Sequence, residues 1–85
     1  MTYNLLYTGK AERDIKKLDP PIKRQIGKAI LRLKTNPFEH SEKLTDPKIG
    51  TYRFRIGDYR VIFDIDENNI VILRVGHRKE IYRKI

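Results

Sequence analysis

The sequence predicts a single small α+β domain, because its hydrophobic period changes from helical to strand-like near residue 50. Before that point apolar residues recur every three or four positions, and after it they alternate with polar residues. A length of 85 residues suits one domain, residues 1–85, without a separate module. These observations favour a helix hairpin packed on one face of a small antiparallel sheet.

The N-terminal part is predicted to form a strand followed by a helix. Residues 3–7 alternate in polarity, which is typical of a short opening strand. Thr8 is expected to cap the helix that follows, over Lys10 to Leu18. The apolar stripe of this helix consists of Ala11, Ile15 and Leu18.

A second helix is predicted from Pro20 to about Lys34, and its apolar residues continue the stripe at Ile22, Ile26, Ala29, Ile30 and Leu33. Asp19 should accept hydrogen bonds from its free amides, and proline suits the first helical turn. Because the link is so short, the two helices should form an antiparallel hairpin. Residues 35–50 contain prolines, glycine and many polar residues and are predicted to be a loop.

Three strands are predicted in the C-terminal half. Residues 52–56 and 59–65 form a hairpin around a Gly57–Asp58 turn, and residues 71–75 follow a three-residue turn at 67–69. The face predicted to meet the helices comprises Tyr52, Phe54, Ile56, Tyr59, Val61, Phe63, Leu73 and Val75.

The predicted register gathers arginines on the opposite face of the sheet. Arg55 should face Arg60, and Arg53 should face Ile62. The three-residue turn at 67–69 places Arg74 beside them, whereas a turn with an even number of residues would place Arg74 in the core. We call Arg53, Arg55, Arg60 and Arg74 the arginine face.

Like charges directly across a strand pair are destabilising, so this face suggests a ligand. Guanidinium groups match phosphate oxygens bidentately, which favours a phosphate-binding surface. The alternative is a solvated face neutralised by Asp58, Asp64 or Asp66.

The charge balance also points to a polyanionic partner. Nineteen Lys and Arg against eleven Asp and Glu give a net charge of +8, which fits nucleic acid or an acidic protein but also an ordinary basic domain. The chain has no cysteine and two histidines, so we expect no metal or other cofactor. No leader or membrane-length apolar run is evident, which suggests a cytoplasmic protein without membrane contact.

The segment from Val75 to Tyr82 carries a second group of candidate residues. His77, Arg78 and Tyr82 could move protons or stabilise phosphate charge where the last strand ends. By themselves these residues are also compatible with a structural histidine and a packed tyrosine.

Residues 52–63 and 75–82 together resemble the RelE/ParE toxin superfamily, most closely its RelE branch. The resemblance implies the toxin of a type II toxin–antitoxin system, a metal-independent endoribonuclease that cleaves mRNA in the ribosomal A site. It also implies a short C-terminal helical segment. The implied partners are the ribosome with its 16S rRNA, mRNA, and an acidic RelB-like antitoxin that wraps the helix hairpin or displaces the C-terminal segment. Operator DNA would be bound only through the antitoxin complex.

The resemblance also implies residue roles. Arg53 and Arg55 stand where relatives commonly have lysines that hold the mRNA backbone, and Arg60 would contact the scissile phosphate. Arg78 would stabilise the transition state, and Tyr82 would transfer protons. Arginine is a poor proton donor, so Arg53 and Arg55 should act electrostatically.

Cleavage by the RNA 2′-hydroxyl requires a base, cations for the extra negative charge, and an acid. Tyr82 is the candidate base, since surrounding arginines would favour its ionised form. His77 is the alternative acid or base, because imidazole titrates near neutral pH. Two other functions remain open, a ParE-type DNA gyrase inhibitor and a non-catalytic, decayed RNA-binding member.

Overall fold

The computed structural model describes residues 2–39, 41–44 and 50–81, which form two helices and one five-stranded sheet. This arrangement confirms the predicted α+β class. In chain order the elements are β1 (Asn4–Tyr7), α1 (Gly9–Lys16), α2 (Pro20–Leu33), β2 (Ser41–Lys43), β3 (Tyr52–Ile56), β4 (Tyr59–Asp66) and β5 (Asn69–His77). The strand order across the sheet is β1-β5-β4-β3-β2.

The sheet is mixed, whereas the sequence predicted an antiparallel one. Strand β1 pairs in parallel with the start of β5, from Asn4 opposite Asn69 to Tyr7 opposite Ile72. The remaining pairs are antiparallel. Strands β1 and β5 are distant in sequence, so no tight turn fixes an antiparallel orientation between them.

Strand β2 lies within the segment that the sequence predicted as a loop. Ser41–Lys43 pairs antiparallel with β3, and Glu42 lies opposite Arg53. Three residues are too few to display alternation, so hydrophobic patterning could not identify this edge strand.

One of the two predicted helix caps is present. The Thr8 hydroxyl accepts a hydrogen bond from the Ala11 amide at 3.1 Å, as expected for the start of α1. Asp19 occupies the N-cap position of α2 but makes no side-chain capping bond, so that prediction was wrong. Pro20 and Pro21 fill the first turn and have no amide hydrogen to donate.

The core lies between the helices and one sheet face. It includes the predicted helical stripe residues Ala11, Ile26, Ala29, Ile30 and Leu33 and the sheet residues Phe54, Ile56, Val61, Phe63, Ile70, Ile72 and Val75. Leu73, which was predicted to face the helices, is absent from this cluster, and Ile72 takes its place.

The exchange of Leu73 for Ile72 follows from a bulge in β5. The turn before β5 has two residues, not the predicted three, because Asp66 pairs with Asn69. Register then shifts where Phe63 faces Ile72 and Ile62 faces Arg74. The extra residue in the bulge returns Arg74 and Val75 to the sheet faces that the predicted three-residue turn would have given them.

A small apolar cluster covers part of the sheet face opposite the helices. Ile62 is fully buried there, and a Cβ on Gly50 would lie 2.7 Å from Ile62 Cγ2 and 2.8 Å from Leu73 Cδ1. The backbone at Gly50 therefore packs directly against the side chains of Ile62 and Leu73.

After β5 the described chain continues as a turn. The amides of Glu80 and Ile81 both donate to the His77 carbonyl, and Ile81 is buried against Gly76. The rest of the predicted C-terminal helical segment, residues 82–85, lies outside the described residues. Neither helix in the described ranges is long and apolar enough to cross a membrane.

Candidate nucleic-acid interface

The predicted pairing of the arginines across the first hairpin is confirmed. Arg55 lies directly opposite Arg60, and Arg53 lies opposite Ile62. The Gly57–Asp58 turn sets this register, and Gly57 adopts a φ of 58°, which glycine tolerates well. Two like charges therefore face each other at the turn end of the sheet.

A carboxylate that the sequence reasoning missed joins two of these arginines. Glu42 Oε2 accepts from Arg53 Nη2 at 2.8 Å, and Glu42 Oε1 lies 3.3 Å from Arg55 Nε. The hydrogen bond from Arg53 and the charge of Arg55 lower the pKa of Glu42 below its usual value. Glu42 is therefore ionised at neutral pH and partly neutralises the arginine face.

Two of the three residues expected to neutralise the arginine face, Asp58 and Asp64, have other contacts. The Asp64 carboxylate accepts from the Thr51 amide at 2.6 Å, and Asp58 lies 3.7 Å from the Arg78 guanidinium. Glu42 was missed because β2 lay within the predicted loop. The sequence around Glu42 has no hydrophobic alternation that would have indicated a strand.

Arg60 is buried at the hairpin turn, with 8% of its surface exposed. Its Nη1 donates to the carbonyls of Gly57 and Tyr59 at 2.9 and 2.8 Å. These bonds hold the guanidinium at the turn and give it a fixed position beside Arg55.

Arg78 reaches the same end of the sheet from the other direction. Its amide donates to the Asp58 carbonyl at 2.8 Å, and its guanidinium remains more than half exposed. The structure therefore brings Arg55, Arg60 and Arg78 to the two sides of one turn.

Arg74 lies across from Ile62 in the ladder, in the row of Arg53, but its side chain has another partner. Its Nε donates to Asp14 Oδ2 at 2.8 Å, and its Nη2 donates to Asp14 Oδ1 at 3.2 Å. These bonds raise the pKa of the Arg74 guanidinium above its ordinary value. Arg74 is thus tied to helix α1 and does not extend toward the other arginines.

His77 lies on the other side of the strand from this group. It pairs with Tyr59, whose ring it meets edge-on at a centroid distance of 5.4 Å, whereas Arg60 pairs with Gly76. Its Nδ1 accepts from the Lys79 amide at 3.1 Å, so the proton of the neutral ring is on Nε2. His77 lines a cleft of about 250 Å³ with Asp14, Lys17 and Tyr59 among its other walls.

The predicted catalytic tyrosine cannot be placed. Tyr82 lies outside the described residues. Within the described ranges, no group of three or more His, Cys, Asp or Glu residues has a metal-binding arrangement.

A separate apolar groove runs between the two helices. Tyr7, Ile15, Ile26 and Ile30 line it, with Lys16 and Lys23 among the polar residues around it, and its volume is about 400 Å³. Ile15, Ile26 and Ile30 belong to the apolar stripe that the sequence predicted for the helix hairpin.

Comparison with known proteins identifies a family that matches most of the chain. The family model for the ParE toxin of the type II toxin–antitoxin system parDE matches residues 5–82. Toxin RelG from Mycobacterium tuberculosis is 37% identical over 99% of this chain and 100% of its own length.

Solved structures agree with the sequence comparison. The toxin–antitoxin complex RelBE2 from Mycobacterium tuberculosis contains a chain similar to this one, with a TM-score of 0.82 and 34% identity over 92% of this chain and 100% of that one. The archaeal RelE–RelB complex from Pyrococcus horikoshii gives a TM-score of 0.77 and 25% identity over 94% and 99% of the two chains.

Proposed function

Because this chain belongs to the RelE/ParE family of toxins from type II toxin–antitoxin systems, we propose that it is an endoribonuclease that cleaves mRNA in the ribosomal A site. Translation would stop as messages are cut, and growth would arrest. The protein would act in the cytoplasm, where its ribosome-bound substrate is found.

The observation that supports this proposal most directly is the convergence of Arg55, Arg60 and Arg78 at one turn. Arg55 and Arg60 lie directly opposite each other across the strand pair, where like charges are destabilising. The same groups favour a phosphodiester, whose extra negative charge in the transition state they would stabilise.

The proposed reaction consumes no reactant other than the RNA. The 2′-oxygen attacks the adjacent phosphorus, the bond from phosphorus to the 5′-oxygen breaks, and a 2′,3′-cyclic phosphate and a 5′-hydroxyl form. The 2′-hydroxyl proton goes to a base, and an acid supplies a proton to the departing 5′-oxygen. Arg60, fixed at the turn, would contact the scissile phosphate, and the more exposed Arg78 would stabilise the pentavalent state.

We assign proton transfer to Tyr82, with His77 as the alternative. The assignment of Tyr82 rests on its match to the family motif. The side chain of His77 lies on the strand face opposite Arg60 and already bonds the Lys79 amide, which favours a structural role for the imidazole. Arg53 and Arg55 would hold the mRNA backbone through charge.

A second function is favoured by one comparison. The matching family model is that of ParE toxins, and the ParE branch inhibits DNA gyrase. The retained arginine and tyrosine set supports the nuclease, since ParE-type members generally lack it. A non-catalytic, decayed RNA-binding member would retain RNA affinity without cleavage.

The proposed protein partner is an acidic, RelB-like antitoxin. Similar toxins from Mycobacterium tuberculosis and Pyrococcus horikoshii were crystallised in complexes named RelBE2 and RelE–RelB. The groove between the helices suits the apolar side of an amphipathic segment, with Lys16 and Lys23 available to acidic residues on its flanks. Operator DNA would be reached only through that complex.

Expression of the toxin without antitoxin separates the nuclease from the gyrase inhibitor. The nuclease predicts shortened messages with ends inside coding regions and an unbroken chromosome, and Arg78→Ala should abolish both shortening and growth arrest. Intact mRNA accompanied by gyrase-linked DNA breaks would transfer the protein to the ParE-type function. An Arg24→Ala variant on helix α2 provides a matched control for the loss of one positive charge.

A further inference from the structure

Within the described residues, the C-terminal half of strand β5 has no strand neighbour on the side where β1 pairs with its first half. Pairing with β1 ends where Tyr7 meets Ile72, and α1 then lies beside the rest of β5. The Thr8 hydroxyl donates to the Leu73 carbonyl at 3.0 Å, immediately after this last pair. The backbone of β5 beyond the bulge is therefore held by side chains of the helical segment.

Asp14 makes the main contact of this kind. One oxygen, Oδ2, accepts from Arg74 Nε at 2.8 Å and from the Val75 amide at 3.0 Å, while Oδ1 accepts from Arg74 Nη2 at 3.2 Å. The side chains of Asp14 and Arg74 are only 15% and 16% exposed, so water weakens these bonds little.

A carboxylate is required for this arrangement. An amide at position 14 would offer one acceptor oxygen and would turn an N–H group toward a guanidinium that has no acceptor. Either the Val75 amide or one Arg74 nitrogen would then lose its partner, at a cost that is larger in a partly buried site.

The segment held by Asp14 leads directly into the proposed catalytic residues. Val75 is followed by Gly76, His77 and Arg78, and the Arg78 amide is bonded to the Asp58 carbonyl. The start of this segment is thus fixed to α1 and its end to the β3–β4 turn.

We propose that Asp14 is a positioning residue, which sets the course of the end of β5 so that Arg78 reaches the scissile phosphate. This proposal rests on the nuclease function proposed above. Asp14 itself touches no substrate. A displacement of about 1 Å in a charged catalytic group can cost on the order of 10²-fold in rate, so a contact outside the site can govern it.

The test compares Asp14→Asn with Asp19→Asn, a matched control at the N-terminus of α2 whose carboxylate makes no capping bond. Three quantities are measured on the purified toxin: amide hydrogen exchange at residues 75–78, affinity for mRNA-programmed ribosomes, and the single-turnover cleavage rate at saturating toxin.

For Asp14→Asn we expect exchange at residues 75–78 to accelerate about tenfold or more and cleavage to slow about 10- to 100-fold. Ribosome affinity should stay within about twofold of wild type, since Asp14 is bonded to Arg74 and to the Val75 amide and not to Arg53, Arg55 or Arg60. Asp19→Asn should change none of the three quantities. The split between binding and rate is the signature that a general loss of stability would not produce.

Arg74→Lys provides a second variant in case Asp14→Asn fails to fold. It retains the positive charge at position 74 and the Asp14 carboxylate that accepts from the Val75 amide, but it loses the bidentate fork, so its effects should have the same pattern and be smaller. Unchanged exchange and unchanged cleavage in folded Asp14→Asn would overturn the proposal, as would a rate loss that follows weaker ribosome binding. If wild type itself cleaves nothing, the nuclease function fails, and exchange alone still decides whether Asp14 holds the strand.

Discussion

Glu42 and Arg53 are joined across strands β2 and β3 by a hydrogen bond of 2.8 Å, and the same carboxylate lies 3.3 Å from Arg55. A carboxylate oxygen thus occupies a position at which a phosphate oxygen would bind. RNA bound by these two arginines, as we propose, would have to compete with Glu42, so the Glu42 carboxylate would limit the RNA affinity of the arginine face.

Replacement of Glu42 by glutamine should strengthen RNA binding. The variant removes the negative charge and leaves a neutral amide of similar size, and exposed ion pairs contribute little, so we expect a gain of about two- to fivefold. Fluorescence anisotropy with a 2′-O-methyl oligouridylate, which cannot be cleaved by 2′-hydroxyl attack, measures this affinity. Equal or weaker binding by Glu42→Gln would contradict the competition, and Glu12→Gln on α1 is the control.

The same competition predicts a pH dependence. Arg53 and Arg55 lower the pKa of Glu42, so its ionised form stabilises the fold at neutral pH, and that contribution is lost as pH falls through the lowered pKa. Protonation also removes the negative charge that competes with phosphate at Arg53 and Arg55, so oligouridylate affinity should rise in that acid window. The rise should be absent in Glu42→Gln, and its persistence in that variant would assign the effect to another group.

Loss of Arg55 should alter the salt dependence of RNA binding. If its exposed guanidinium contacts one phosphate, Arg55→Ala should make the slope of log K against log salt shallower by about 0.7. Arg24→Ala should leave the slope unchanged, because that side chain lies on helix α2. An identical slope for Arg55→Ala and wild type would remove Arg55 from the interface.

The turn between β4 and β5 contains strain that can be relieved. Glu67 has a φ of 54°, in the left-handed region where residues with a Cβ cost about 1–2 kcal/mol. Glu67→Gly should raise the free energy of unfolding by about 0.5–1 kcal/mol after the entropy cost of glycine is subtracted. Urea denaturation measures the change, with Glu67→Ala as the control that keeps the strain. A destabilised glycine variant would refute this explanation of the turn.

Addition of a methyl group at Gly50 should be costly. Its Cβ would lie 2.7 Å from Ile62 Cγ2 and 2.8 Å from Leu73 Cδ1, so the backbone or these side chains must shift. We expect Gly50→Ala to lower the free energy of unfolding by about 1–3 kcal/mol, whereas Gly27→Ala, with open space around it, should not. A matching loss in both variants would point to helix or loop propensity instead of this clash.

The sequence predicted those features that depend on strong local patterns. The alternation around Gly57–Asp58 predicted the pairing of Arg55 with Arg60, because a two-residue turn fixes the register of its strands. The apolar stripe of α2 predicted the buried residues of that helix, because residues three or four positions apart lie on the same helix face.

Other features depended on contacts that no local pattern reports. The bulge at Leu73 places Ile72, and not Leu73, on the core face of the sheet. Because the turn before β5 is also one residue shorter than predicted, Arg74 still lies opposite Ile62. Glu42 was hidden because β2 is only three residues long. The partnership of Arg74 with Asp14 joins residues sixty positions apart, which periodicity does not predict.

Ribosome-dependent cleavage is best tested by primer extension on a defined mRNA incubated with purified toxin, with and without programmed 70S ribosomes, for wild type and Arg78→Ala. We predict cleavage within codons at the A site only when ribosomes are present, and its loss in the Arg78 variant. A message that stays intact with wild-type toxin on programmed ribosomes would contradict the account and leave the arginine face as a binding surface.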